Sequence, residues 1–209
     1  ERCEDIEEIR FICLGKGRGY GMKIVGLVGS IAGSKTRIAM DYCMRSFDRQ
    51  FPELETELID LKDLTIDFSD GRNYTDYKGD TGKLVMKLLE ADILIIGTPT
   101  FQASIPGALK NVFDLLPQNA FQNKVVGIIA TAGSSKHYLM VEQQLKPILS
   151  YMKAKIVEKY VFIEEQDYFR KEIINDDVLF RIDQLVEDAV LTYRALEFAK
   201  KERESQYHF

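Results

Sequence analysis

The segment at residues 29–37 carries residue types that bind phosphate groups. It reads GSIAGSKTR, follows a short apolar run and precedes a stretch with helical periodicity. Small and hydroxyl-bearing residues let backbone amides turn toward an anion, and the N-terminus of the following helix adds partial positive charge there. A helix start capped by Ser34, without any ligand, is the structural alternative. The candidate phosphate-binding residues are Ser30, Ser34, Lys35, Thr36 and Arg37.

The same segment lies within one residue of the Walker A pattern G-x-x-x-x-G-K-[ST], because Ser34 stands in place of the second glycine. A nucleotide hydrolase of that kind also needs an acidic residue after a neighbouring strand to hold magnesium. The neighbouring apolar runs end instead in Gly-Thr-Pro and Thr-Ala-Gly. The sequence therefore argues against an NTPase.

Two further loop segments follow apolar runs, at residues 97–116 and 131–139. In the first, Pro99 and Pro106 bracket a rigid, non-helical stretch that is suited to lie along a flat ring, with Phe101 beside it. The second reads TAGSSKHYL and places little side-chain bulk between its backbone and a ligand. Each of them alone could be a turn that only joins a strand to a helix. Three such loops on one edge of a sheet would form a binding site.

Strands and helices that must position these loops alternate along the chain. The pattern predicts strands at residues 23–28, 55–60, 92–97, 124–130 and 155–162, and helices at 36–51, 81–91, 105–116, 138–151 and 176–204. The third and fourth strands are apolar throughout, which predicts helices on both faces of the sheet. We therefore expect an α/β, flavodoxin-like doubly wound sandwich with a five-stranded parallel sheet of order 2-1-3-4-5. Ligands of such sheets bind at the carboxyl ends of the strands, where the three loops fall.

Residues 1–21 differ in character from the rest of the chain. An acidic stretch and a short apolar run lead into alternating glycines directly before Met22, which opens MKIVGLVGS. The glycines lack the G-x-G-x-x-G spacing of a dinucleotide loop, and the acidic start does not fit a signal peptide. We expect residues 1–21 to be an extension or a non-native segment and residues 22–209 to form one flavodoxin-like domain. The alternative is an added edge strand at residues 9–14.

The composition excludes several classes of protein. The formal net charge of -5 offers no broad cationic surface, so nucleic acid is not expected as a partner. The apolar runs are strand-sized and shorter than the roughly 20 residues of a membrane helix, so no membrane association is expected. The chain has 3 cysteines, without CxxC spacing, and 2 histidines, which predicts neither a disulfide framework nor a metal site. This cysteine usage fits a reducing, cytoplasmic location.

Residues 22–162 resemble the NAD(P)H-dependent FMN reductases and their quinone- and azo-reducing relatives. That family has a hydroxyl-rich loop after its first strand and the segment P-E-Y-N-x-S-x-P-G-x-L-K-N-x-x-D after its third. The residues in register with that segment are Pro99, Ser104, Pro106, Gly107, Leu109, Lys110, Asn111 and Asp114. The chain departs from the family at Ala32, where an arginine is common, at Thr100 and Phe101, which replace Glu and Tyr, and at Ser134 and Ser135, which replace glycines.

The resemblance implies bound FMN as the cofactor and NADPH or NADH as the co-substrate. By it, the phosphate lies in the first loop, and the isoalloxazine ring lies between the second and third loops. The residues implied at the ring are Pro99, Thr100, Phe101, Gln102, Ala103, Thr131, Ala132, Gly133, Ser134 and Ser135. The chemistry belongs to the flavin, so no catalytic side chain is expected.

The implied enzyme is an FMN-dependent NAD(P)H oxidoreductase that reduces a flavin, quinone or azo acceptor by ping-pong hydride transfer. The alternative is a non-catalytic electron carrier of the flavodoxin type, and a cofactor-free regulatory protein is a third possibility. The resemblance and the apolar residues Phe113 and Leu116 suggest a homodimer or homotetramer. The long polar segment 66–82 is interpreted as a flavin lid, a subunit contact or a solvated loop.

Overall fold

The computed structural model describes residues 21–207, which form a parallel β-sheet covered by helices on both faces. Its strands are β1 (Lys23–Val28), β2 (Glu55–Asp60), β3 (Ile93–Pro99), β4 (Val125–Ala132), β5 (Lys155–Ile156) and β6 (Val161–Glu164). The order is β2-β1-β3-β4-β5, with β6 also on β4, and all these pairs are parallel. The predicted flavodoxin-like order is confirmed. Most of the predicted extension and the alternative strand at residues 9–14 lie outside the described residues.

The fifth position of the sheet contains two short strands rather than the single strand predicted at residues 155–162. Val126 pairs with Ile156, and Ile129 pairs with Val161. Three steps along β4 therefore face five steps along its partner, so that two extra residues bulge out of the ladder. The interruption contains the exposed residues Glu158 and Lys159, whose charged side chains stay in solvent.

Among residues 21–207, five α-helices connect or follow the strands. They are α1 (Lys35–Gln50), α2 (Gly79–Glu90), α3 (Gly107–Leu115), α4 (Lys146–Tyr151) and α5 (Asp176–Tyr207). The helix predicted at residues 138–151 is divided into a π-helical turn at Val141–Leu145 and α4, and a 3₁₀ turn at Ser135–His137 precedes it. Pro147 in the first turn of α4 cannot donate a backbone hydrogen bond, which explains the change of register before it. Within residues 21–207, no helix has the length and apolar character needed to cross a membrane.

Apolar residues fill one core on each face of the sheet. Helices α1 and α5 cover one face, where Met40 and Val186 pack with strand residues such as Ile95. Helices α2, α3 and α4 cover the other face, where Leu109 packs with alternate strand residues such as Ile96. Phe113 and Leu116, which suggested a subunit contact in the sequence, are 5% and 8% exposed and belong to this second core.

Helix α1 packs closely against β3 at Gly97, which has no side chain. A Cβ atom built at Gly97 would lie 2.5 Å from Cγ of Met40 and 3.1 Å from Cγ2 of Thr36, both on α1. Gly29, directly after β1, similarly has no space for a Cβ atom beside Leu109 and the Gly97 carbonyl. Gly97 therefore lets the beginning of α1 approach β3, and Gly29 lets the end of β1 approach α3 and β3.

We predict that Gly97→Ala lowers the free energy of unfolding by about 1–3 kcal/mol, because the added methyl group overpacks the interface with α1. Gly107→Ala is the matched control, because no atom lies within 4 Å of a Cβ atom built there. It should leave stability unchanged or raise it slightly. Urea denaturation measures both, and equal stability of the two variants would contradict the close approach.

Candidate functional site

A cavity of about 340 Å³ lies at the carboxyl ends of β1, β3 and β4, where the three predicted loops meet. The N-terminus of α1 forms one end of it. Nine predicted residues line the cavity: Ser34, Lys35, Thr36, Pro99, Thr100, Phe101, Thr131, Ala132 and Gly133. Ala32, Gly33 and Glu165 line it as well and were not predicted. The structure thus brings all three loops to one site.

Hydrogen bonds fix the loops relative to one another. The Gly29 amide donates to the Gly97 carbonyl over 2.7 Å, and the Thr100 amide donates to the Thr131 carbonyl over 2.8 Å. The hydroxyls of Thr36 and Thr131 form a buried hydrogen bond of 2.8 Å. The first loop is therefore tied to the second through backbone and to the third through side chains.

The first loop is shaped so that the start of α1 faces the cavity. Gly33 has a φ of +84°, a conformation that strains any residue with a Cβ atom. Ser34 is the N-cap of α1, and its side chain makes no capping hydrogen bond. Since the first amides of a helix have no partners within the helix, both they and the Ser34 hydroxyl are available to an anion.

Ser30 is placed differently from its predicted role. It is 5% exposed, and its hydroxyl accepts a hydrogen bond from the Ala32 amide at 3.1 Å and donates to the Ala32 carbonyl. Ser30 is not among the residues that line the cavity. In this structure it shapes the turn that presents Ser34.

Arg37 is directed away from the cavity. Its Nε donates to Asp41 over 2.9 Å, and its Nη1 lies 3.2 Å from the buried carboxylate of Asp60. Asp63 adds a third carboxylate, 3.9 Å from Nη1. The structure therefore does not bring Arg37 together with the other predicted residues.

Lys35 and Glu165 are the charged residues among those that line the cavity in the described part of the chain. They form an ion pair, with 37% and 65% of their side chains exposed. The Tyr168 hydroxyl donates to the Lys35 carbonyl over 3.1 Å. Burial raises the pKa of Tyr168, which keeps this donor protonated. Glu165 follows β6, so tracing the fifth strand position to its carboxyl end would have found it.

The second loop contains a strained two-residue turn. Phe101 and Ser104 exchange backbone hydrogen bonds of 2.9 and 3.0 Å, and Gln102 and Ala103 between them have φ values of 50° and 60°. Neither residue is glycine, so each costs about 1–2 kcal/mol in the left-handed region. Gln102 and Ala103 lie outside the cavity lining, but their turn places the half-exposed ring of Phe101 at its rim.

Thr100 provides an unpartnered polar atom. Its Oγ1 is buried and has no hydrogen-bond partner among the described residues. A buried hydroxyl without a partner costs about 1–3 kcal/mol, so such atoms commonly mark the place of a ligand. Thr100 lines the cavity, and a flat polar heterocycle in it would have atoms able to pair with this hydroxyl.

The third loop contributes only its first part. Thr131, Ala132 and Gly133 line the cavity, whereas Ser134 and Ser135 do not. Ser135 begins a 3₁₀ turn, Ser135–His137, and its carbonyl accepts from the Tyr138 amide over 3.0 Å. These two serines lead the chain away from the site.

The segment at residues 66–82 is held against α3. The side chain of Asn111 accepts a hydrogen bond from the Ser69 amide and donates one to the Asp67 carbonyl, both at 2.9 Å. The Asp67 amide donates to the Thr81 hydroxyl over 2.9 Å. No residue of this segment lines the cavity. The hydrogen bonds of Asn111 give it a structural role that the family motif does not reveal.

Within residues 21–207, no group of three or more His, Cys, Asp or Glu side chains is arranged to hold a metal ion. Cys43 is fully buried among apolar residues, and burial raises the pKa of its thiol. It therefore remains a protonated packing residue rather than a nucleophile.

The sheet order and the position of the cavity define a flavodoxin-like protein. The family model of the NADPH-dependent FMN reductases matches residues 22–168. The NAD(P)H-dependent FAD/FMN reductase of Geobacillus thermodenitrificans is 39% identical over 170 residues, which are 81% of this chain and 92% of that protein. The chain belongs to the NADPH-dependent FMN reductase family.

A curated azoreductase and a solved oxidoreductase structure are also similar to this chain. The FMN-dependent NADPH-azoreductase of Staphylococcus saprophyticus is 33% identical over 117 residues, which are 54% of this chain and 61% of that one. An apo crystal structure of an NADH:FMN oxidoreductase has a TM-score of 0.67 and 27% identity, covering 82% of this chain and 89% of that one. The expected family is confirmed, and the chain is an NAD(P)H-dependent flavin oxidoreductase with FMN as its cofactor.

We predict that Thr100→Val has opposite effects on folding and on flavin binding. Removing the unpartnered hydroxyl should raise the free energy of unfolding of the flavin-free protein by about 1 kcal/mol, whereas losing a hydrogen bond to FMN should weaken binding about fivefold. Thermal denaturation and quenching of flavin fluorescence measure the two effects.

Thr98→Val is the control, because the buried Thr98 hydroxyl already donates to the Pro99 carbonyl over 3.0 Å. This variant should lose stability and keep its affinity for FMN. If Thr100→Val behaved in the same way, its hydroxyl would have no role toward the flavin.

Proposed function

We propose that the FMN phosphate binds at the N-terminus of α1 and that the isoalloxazine ring lies between the second and third loops. The observation that carries this proposal is that one cavity is lined both by Ser34, the N-cap of α1, and by Thr100, whose buried hydroxyl has no partner among the described residues. The first is suited to an anion, and the second is suited to a polar ring.

Each part of the lining has a distinct task. Ser34, Lys35 and Thr36 would hold the phosphate through amides, hydroxyls and one ammonium group. Pro99, Thr100 and Phe101 would support the ring from one side, and residues 131–133 from the other. Ser30, Gln102, Ala103, Ser134 and Ser135 act through the shape of their loops, and Arg37 acts through its ion pairs with Asp41 and Asp60.

Bound FMN supplies the capacity to accept a hydride from a nicotinamide and to deliver electrons to an acceptor. The protein would position the ring between the second and third loops. Among the described residues, those lining the cavity include no histidine or cysteine, and Glu165 is paired with Lys35. We therefore propose that the residues around the cavity bind and orient the flavin and do not transfer protons.

We infer that NADPH or NADH and the electron acceptor use this cavity in turn. A single cavity joins the loops, and Phe101 at its rim is 42% exposed, which suits stacking with a planar molecule. Free flavin, quinones and azo compounds are the acceptors that we propose, and the azoreductase relative supports the last class. Sequential use of one cavity gives ping-pong kinetics.

Homodimer or homotetramer formation and a cytoplasmic location remain predictions. Phe113 and Leu116 are buried within the subunit and cannot serve as contacts, whereas Phe68 is 84% exposed beside α3. Phe68 is thus a better candidate for a contact between subunits than the residues that the sequence suggested.

We predict that Ser34→Asp raises the dissociation constant for FMN at least about tenfold, because the carboxylate repels the phosphate. The same change should preserve or slightly raise the melting temperature, because an acidic N-cap favours the helix dipole. Ser34→Asn is the matched control, since Asn has the same size as Asp and caps helices equally well without the charge. Undiminished FMN binding by Ser34→Asp would place the phosphate elsewhere.

Anaerobic spectroscopy tests the reaction itself. Protein loaded with FMN should lose its visible absorption when NADPH or NADH is added and regain it when a quinone or an azo dye is then supplied. Initial rates at several acceptor concentrations should give parallel double-reciprocal lines. A bound flavin that neither nicotinamide bleaches would instead support the electron-carrier alternative, and a protein that binds no flavin would support the cofactor-free one.

A further inference from the structure

The carboxylate of Glu165 stands in the cavity beside the cation that the phosphate site offers. Glu165 and Lys35 both line the cavity and form an ion pair. Arg37, the next cation along the chain, is engaged by Asp41 and Asp60. A phosphate group at the start of α1 therefore meets a lysine whose charge is already balanced.

The position of Glu165 is fixed by contacts other than the ion pair. Glu165 opens a 3₁₀ turn, Glu165–Asp167, in which the Glu164 amide donates to the Asp167 carboxylate over 2.8 Å. Asn175 donates a second hydrogen bond to that carboxylate, over 2.7 Å. The hydrogen bond from the Tyr168 hydroxyl to the Lys35 carbonyl ties the end of this turn to α1. The backbone that carries Glu165 is therefore held beside the site by the fold.

We propose that Glu165 sets the flavin specificity of the site by reducing the benefit of the phosphate group. This inference rests on the proposed position of FMN. The carboxylate neutralises Lys35 and repels the phosphoryl dianion of FMN. Riboflavin has no phosphate, so the carboxylate does not repel it. The site therefore prefers FMN over riboflavin less strongly than a site with a free lysine, and it accepts flavins with little or no phosphate charge.

The effect is modest because both side chains are partly exposed to solvent. Exposed charge pairs change binding or stability by an amount that corresponds to about two- to fivefold in an equilibrium constant. Screening by salt reduces it further, because the Debye length falls from about 10 Å at 0.1 M to about 3 Å at 1 M. A specific test must therefore compare two flavins at low salt.

A charge series at position 165 provides this test. Wild type, Glu165→Gln and Glu165→Lys are titrated with FMN and with riboflavin, with quenching of flavin fluorescence as the readout, at pH 8, where the phosphate is a dianion. We expect the dissociation constant for FMN to fall about two- to fivefold at each step. The constant for riboflavin should stay unchanged, and the FMN effect should shrink at 1 M salt.

Glu172→Gln is the control variant, because it removes the same charge from an exposed residue outside the cavity lining. It should bind both flavins like the wild type. Equal changes in the dissociation constants for FMN and riboflavin along the series would show an effect of cavity shape. An unchanged constant for FMN would show that the Glu165 carboxylate does not influence phosphate binding. Either result overturns the inference. Failure of the wild type to bind any flavin would instead overturn the proposed function.

Discussion

The site depends on the hydrogen bonds that join the loops after β1, β3 and β4. Three hydrogen bonds hold these loops together as one surface. The Thr36 and Thr131 hydroxyls are bonded to each other, and backbone bonds run from Gly29 to Gly97 and from Thr100 to Thr131. Because neighbouring strands are about 4.8 Å apart, these bonds fix where an anion and a ring can lie relative to each other. A ligand that fits this arrangement loses little free energy in ordering the protein.

The electrostatics of the site rest on amides and hydroxyls more than on cations. The charge of Lys35 is partly balanced by Glu165, which weakens its attraction to a phosphate, and Arg37 is directed toward Asp60. The start of α1 contributes its dipole and its unpaired amides instead. This balance fits the proposed position of FMN, in which the phosphate is held without strong attraction to a cation.

The sequence predicted most of the fold because its strands are short apolar runs separated by clear loops. β1 and β2 have the predicted bounds, and β3 and β4 are buried on both faces as expected. The break between β5 and β6 was missed because a bulge depends on the pairing with β4. The hairpin of β7 (Tyr168–Phe169) and β8 (Glu172–Ile173) was missed as well, because its turn places Arg170 and Lys171 at positive φ without a glycine.

The candidate site was predictable as three loops, but not residue by residue. The sequence indicates which loops carry small and hydroxyl residues. The direction of each side chain depends on its hydrogen-bond and ion-pair partners, which the sequence does not show. Arg37 turns to acidic residues, one of which lies 23 positions away, and Ser30 bonds within its own loop. Glu165 follows β6, and the residues after this strand are not rich in glycine, so the sequence did not indicate a loop of the site there.

We propose that the turn after β1 presents the start of α1 to the FMN phosphate. A crystal structure of the protein grown with excess FMN would show where the phosphate binds. We expect the phosphoryl group to lie within hydrogen-bonding distance of the amides of residues 34–36 and the ring to lie beside Thr100. A flavin bound elsewhere, or a turn that stays empty while its amides face inward, would contradict it.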